Sequence, residues 1–158
     1  MSGVIVCYSL SGKTRKVCEE IAGLTGAPLH ELSTGGPGPG PLGMVVWSMR
    51  TVFGAAPRVE APEDLDLAAA DWAVLAAPLW VGKPALPMTA WLDTRPALPE
   101  RVGLVITSGS DKRPEGAFGQ FGAAAKRKPT ATLHLPEGRV GKSSAESEIA
   151  GFCDAMTG

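Results

Sequence analysis

Three short stretches of this chain combine residue types that can hold an anion or a flat polar ring. The first is Ser9-Leu10-Ser11-Gly12-Lys13-Thr14, which sets three hydroxyls, a glycine and an ammonium where an apolar run gives way to a helical pattern. The unpaired N–H groups of a helix start carry partial positive charge, so with the hydroxyls and Lys13 the turn suits a phosphate dianion. The alternative is that Ser9 or Ser11 simply caps the helix, a task needing one hydroxyl. The second stretch, Pro78-Leu79-Trp80-Val81-Gly82-Lys83, offers an aromatic ring that can cover a flat ligand and a glycine that lets backbone approach closely. Its alternative is that Trp80 is a core aromatic at a strand end. The third, Ser108-Gly109-Ser110 within Thr107 to Asp111, taken alone is an ordinary polar turn.

Other chemistries lack support. Gly12-Lys13-Thr14 matches the end of a nucleotide-binding P-loop, but that motif needs glycine where Cys7 stands, inside the strand. No G-x-S-x-G elbow occurs, so a hydrolase triad has no basis. His30 and His134 have no acid or cysteine at metal-ligand spacing and read as structural or exposed. No metal ligand and no catalytic side chain is therefore assigned.

The elements that must position the three turns follow from periodicity. Val4 to Tyr8, Trp72 to Ala77 (ending at Pro78) and Arg101 to Thr107 are continuous apolar runs, as expected of strands buried on both faces. Pro28 to Leu32 and Thr130 to Leu135 read as two further strands. Helical spacing starts at Lys13, near Pro84 or Pro87, over Gly116 to Lys128 and over Ser144 to Met156. Met44 to Phe53 reads as a helix, with strand as the competitor given its β-branched and aromatic content. Ser33 to Pro41 is so rich in Gly and Pro that no regular element is expected there. Strands alternating with helices imply right-handed βαβ units and a doubly wound, three-layer α/β sandwich over a single domain, residues 1–158. In such sheets ligands sit beyond the carboxyl ends of the strands, where all three turns fall.

At this point a resemblance becomes specific. Tyr8-Ser9-Leu10-Ser11-Gly12-Lys13-Thr14-Arg15 resembles the phosphate loop of flavodoxins, T/S-x-T/S-G-x-T, at the end of the first strand. Pro78-Leu79-Trp80-Val81-Gly82 is similar to the family's P-x-W/Y-x-G after an apolar strand. The resemblance implies a five-stranded parallel sheet in the order 2-1-3-4-5 with FMN as cofactor. It places Ser9, Leu10, Ser11, Gly12, Lys13 and Thr14 around the phosphate, and Pro78 to Lys83 with Ser108, Gly109 and Ser110 around the ring. Electron transfer, or reduction by NAD(P)H or of a quinone, is the function it implies; a non-redox nucleotide- or phosphate-binding module on the same fold is the alternative.

Composition bounds the partners. Fifteen Lys and Arg against sixteen Asp and Glu give a net charge of -1, which offers no concentrated basic surface for nucleic acid. It also departs from the marked acidity of flavodoxins that dock onto basic redox partner proteins, moving weight toward a small reductase. Lys126-Arg127-Lys128 reads as a solvated helix end. Three cysteines without metal spacing, no leader-like segment and no bilayer-length apolar run lead to the expectation of a cytoplasmic protein away from membranes. Trp47, Met49 and Phe53 read foremost as core, with flavin cover or a homodimer surface as the other readings.

Overall fold

The computed structural model describes every residue except Met1, Gly36, Pro37, Pro39, Ala55 and Ala56. Part of the Gly/Pro loop expected over Ser33 to Pro41 therefore lies outside the described residues. Strands β1 (Gly3–Cys7), β2 (Leu29–Glu31), β3 (Trp72–Trp80), β4 (Arg101–Ser108) and β5 (Ala131–Pro136) alternate with helices α1 (Lys13–Thr25), α2 (Pro41–Phe53), α3 (Leu86–Asp93), α4 (Glu115–Ala125) and α5 (Ser143–Thr157). The five strands pair in parallel in the order β2-β1-β3-β4-β5.

Alternation along each strand splits the core into two layers. Val4, Val6, Ala73, Leu75, Val102 and Leu104 meet Trp47 of α2, Met88 and Trp91 of α3 and Phe118 and Phe121 of α4. Ile5, Cys7, Val74, Ala76 and Val105 meet Val17, Cys18 and Ile21 of α1 and Ile149, Phe152 and Met156 of α5. Apolar strands without polar alternation thus reflect helices on both sides of the sheet.

Four details differ from the expectation. β3 does not stop at Pro78 but runs on to Trp80 and turns into a short antiparallel return, Lys83–Pro84. The Ala76 carbonyl accepts from Tyr8 N–H at 2.9 Å and the Pro78 carbonyl from Ala85 N–H at 2.9 Å. Pro78 thus turns its missing donor toward a side where β1 has already ended, so no ladder bond is lost. Ser33–Thr34 forms a two-residue antiparallel pair with Val59–Glu60, where only loop was expected. α4 ends at Ala125, with Lys126 left-handed at φ 53, and Arg127 bonds the carbonyls of Leu98 and Pro99 at 2.8 and 3.0 Å. That side chain is a structural tie rather than a solvated end. In α2 only Trp47 of the three large residues read as core is buried; Met49 and Phe53 are exposed.

Gly103 of β4 is required by packing. A Cβ there would stand 2.7 Å from both the Met156 sulfur and the Phe152 ring, each of which is buried. Gly103→Ala is expected to destabilise the protein by about 1–3 kcal/mol through overpacking, read as a lower urea midpoint at unchanged slope.

Candidate functional site

The carboxyl ends of β1, β3 and β4 lie side by side, so the three turns share one edge. In the first, Ser9 Oγ accepts the Gly12 N–H at 3.0 Å, which folds the chain back into α1. Gly12 takes φ 92, a left-handed value that glycine adopts without strain. No side chain caps α1; its first N–H groups face the edge. The Thr14 and Thr107 hydroxyls, both buried, lie 2.7 Å apart, tying the phosphate-type turn to the end of β4. Ser11 is exposed, Ser9 and Lys13 are half-buried, and Leu10 packs inward against the core.

The second turn is strained. Val81 and Gly82 have φ 50 and 74 between the paired residues Trp80 and Lys83, the positive-φ pattern of a tight hairpin turn. A β-branched residue there is an outlier, and such strain concentrates at functional sites. Trp80 is buried, edge-on to Tyr8 at 5.5 Å and tilted over Trp47 at 5.2 Å. The ring therefore lies in the core beneath the turn, and Val81, more than half exposed, is the side chain turned outward. Burial pushes the Tyr8 hydroxyl up to about 12; its bond to Thr34 opposes the shift and Glu31 adds to it. Tyr8 thus keeps its proton at neutral pH.

In the third turn Ser108 Oγ donates to the Ser110 carbonyl at 2.9 Å and lies 2.7 Å from His134 Nε2. With the hydroxyl proton used, the His134 Nε2–H is the donor. Gly109 and Ser110 are exposed. Thr107, His134 and Tyr8 thus support the three turns without having been singled out for it. A threonine ending an apolar run was the one signal for Thr107, and its partner 93 residues away was not visible.

All three thiols are buried, and two of them are held away from the thiolate form. The Cys7 hydrogen bond and burial push Cys18 well above the ordinary thiol range, and burial raises Cys153. Among the described residues no cluster of His, Cys, Asp or Glu could hold a metal. A cleft of about 630 Å³ lies between α4 and β5, lined by Arg113, Phe118, Gly122, Lys126 and Lys128; it follows the sheet's far edge rather than the three turns.

No family model matches the chain, and no curated protein matches it. Solved structures do. A flavoprotein from Lactobacillus acidophilus NCFM, crystallised in complex with FMN, superposes with a TM-score of 0.72 at 20% identity, over 94% of this chain and 98% of that one. This chain has the flavodoxin-like fold. A flavodoxin, WrbA-like protein from Agrobacterium tumefaciens aligns with the flavodoxin-like sheet at a TM-score of 0.57 and 15% identity, over 99% and 97% of the two chains. An NADH:FMN oxidoreductase in its apo form aligns at 0.60 and 12%, over 99% and 88%.

Two outcomes follow from this geometry. Val81→Asn is expected to raise stability by about 1 kcal/mol, because asparagine tolerates the left-handed region; a calorimetric melt tests it. Burial, with Arg113 and Arg139 acting in the same direction against Glu148 and Asp111, holds His134 below its ordinary 6.5. Between that depressed value and 6.5 the unfolded chain binds more protons, so stability is full above 6.5 and falls as pH drops through the window. Chemical denaturation of the parent and of His134→Gln from about pH 7 to 5 should give a shallower loss for the variant.

Proposed function

We propose that the three turns bind FMN and that the chain, acting as one domain, uses it for electron transfer or for reduction of NAD(P)H/quinone type. The observation that carries this reading is the uncapped start of α1, with Ser9, Ser11, Thr14 and Lys13 around it, at the carboxyl edge of a flavodoxin-like sheet. These residues fit a phosphate monoester through backbone N–H groups, hydroxyls and an ammonium. The charge balance agrees: Lys13, Lys83 and Lys112 against Asp111 stand in or beside the three turns of a chain whose net charge is -1.

The ring would lie over Val81 and Gly82, where backbone is open and no Cβ stands at Gly82, with Ser108, Gly109 and Ser110 as the opposite wall. Pro78 and Leu79 set the strand end beneath, and Trp80 backs it from the core. Bound FMN would supply one- and two-electron redox chemistry, and the protein's part is to bind, orient and shield it. The near-neutral charge favours a small donor or acceptor such as NAD(P)H or a quinone over a docked redox protein. Three buried, free cysteines suit a reducing cytoplasm.

The visible spectrum separates this reading from a phosphate-binding module without redox chemistry. A colourless protein that fails to take up added FMN supports the module. Ser11→Ala and Thr14→Ala are expected to weaken FMN binding by about 1–3 kcal/mol each, measured by fluorescence quenching. Riboflavin, lacking the phosphate, should bind weakly and not respond to Ser11→Ala, whereas Thr14→Ala also removes the bond to Thr107 and is read against Thr14→Ser. Thr14→Ser, which keeps the hydroxyl, should restore FMN affinity and the bond to Thr107.

A further inference from the structure

α2 is apolar on its outer face as well as carrying a buried one. Gly43, Trp47 and Thr51, four residues apart, are its buried side. On the outside stand Leu42, Val45, Met49 and Val52, separated by three, four and three residues, with Phe53 beside them, while Met44 lies about 120° round the helix from that row. These six side chains are between 41% and 77% exposed and are six of the eight large exposed hydrophobics among the described residues. A contiguous exposed apolar patch of this kind ordinarily marks a surface that something covers. Three-four-three spacing is the seam along which two helices pack knobs into holes.

The seam is symmetric about its own midpoint. Laid antiparallel against a copy of itself, it sets Leu42 opposite the partner's Val52 and Val45 opposite the partner's Met49, a larger side chain facing a valine at each level. This is the self-complementarity that a two-fold axis demands. Charge does not oppose it: Arg50 is the helix's one charged residue and its guanidinium sits 5.2 Å from the Trp47 ring centroid. The five side chains of this outer face leave roughly 500 Å² of apolar surface, taking about 100 Å² for each, against about 800 Å² per partner in a standard interface. A helix lying on a membrane surface would carry a row of Lys and Arg on a polar face, and α2 has no such face.

We propose that two copies of this chain pair through the outer face of α2, antiparallel about a two-fold axis, as a homodimer. The pairing stands independently of the FMN reading. It bears on the same edge, because Trp47 on the inner side of α2 packs on Trp80 beneath the Val81-Gly82 turn.

Sedimentation equilibrium of the full chain tests this, with or without FMN. The parent is expected to be a dimer. Val45→Lys/Met49→Lys and Val45→Glu/Met49→Glu should each be monomeric with unchanged far-UV circular dichroism, since each sets like charges face to face, and mixing the two should restore a dimer. The milder pair Leu42→Ser/Val52→Ser should raise the dissociation constant at least about tenfold, and Leu24→Glu on α1, equally exposed but off the seam, should not change it. A monomeric parent overturns the proposal, and one that also floats with phosphatidylcholine vesicles gives α2 a lipid surface instead. A dimer indifferent to all three double variants, or charge variants that stay monomeric when mixed, overturns it equally. FMN binding is read separately by absorbance, so either proposal can fail alone.

Discussion

β3 is buried along both faces, with Leu79 alone of its nine residues partly open, and most of the architecture follows from that constraint. A strand apolar on both sides cannot leave either side to water, so helices must cover both. Helices on both faces require crossovers, and crossovers between parallel neighbours bring every carboxyl end to the same edge. The turns after β1, β3 and β4 are therefore neighbours because of core packing, whatever they bind. Their closeness is a consequence of burying Val74, Leu75 and Ala76, residues that touch no ligand.

What makes the edge a site is how it is held. Thr14 and Thr107 share a hydrogen bond inside the protein, where loss of either hydroxyl would strand the other without water to replace it. That bond fixes the first turn of α1 against β4. The aromatic group of Tyr8, Trp47 and Trp80 does the corresponding work for the second turn, bracing it from below by ring contacts among the residue after β1, α2 and β3. Rigid support on both sides is what allows Val81 to remain at φ 50. A flexible hairpin would relax the strain rather than keep it.

The sequence made the sheet legible because its signal is local: continuous apolar runs at Val4, Trp72 and Val102 mark strands without reference to any partner. The turns were legible for the same reason, being dense in hydroxyls and glycine directly after those runs. What stayed hidden depends on distant neighbours. Pro78 argues for a strand end unless one knows that β1 has already stopped beside it. Arg127 looks like part of a solvated basic run until Leu98 and Pro99 are seen to present bare carbonyls to it. His134 carries no motif, since its partner Ser108 lies on the adjacent strand. Met49 and Phe53 share the apolar character of Trp47, and periodicity alone cannot say which side of a helix with two apolar faces is turned in.

That last ambiguity is itself informative about α2. An ordinary covering helix such as α1 alternates a buried stripe, Val17, Cys18 and Ile21, with Arg15, Lys16, Glu19 and Glu20 outside. It is marked as having one apolar neighbour, the sheet. α2 lacks that alternation although it covers the same sheet from the other side, and nothing in the packing of Trp47 requires Leu42, Val45, Met49 or Val52 to be apolar. Leaving such groups in water forgoes roughly 25 cal/mol for every Å² that could be buried, and charged residues on those positions would cost the fold nothing. An apolar choice at four seam positions is therefore unexplained by the monomer's own core. It is explained by a second surface, and because α2 also carries Trp47 against Trp80, covering that surface would stiffen the wall on which the second turn stands.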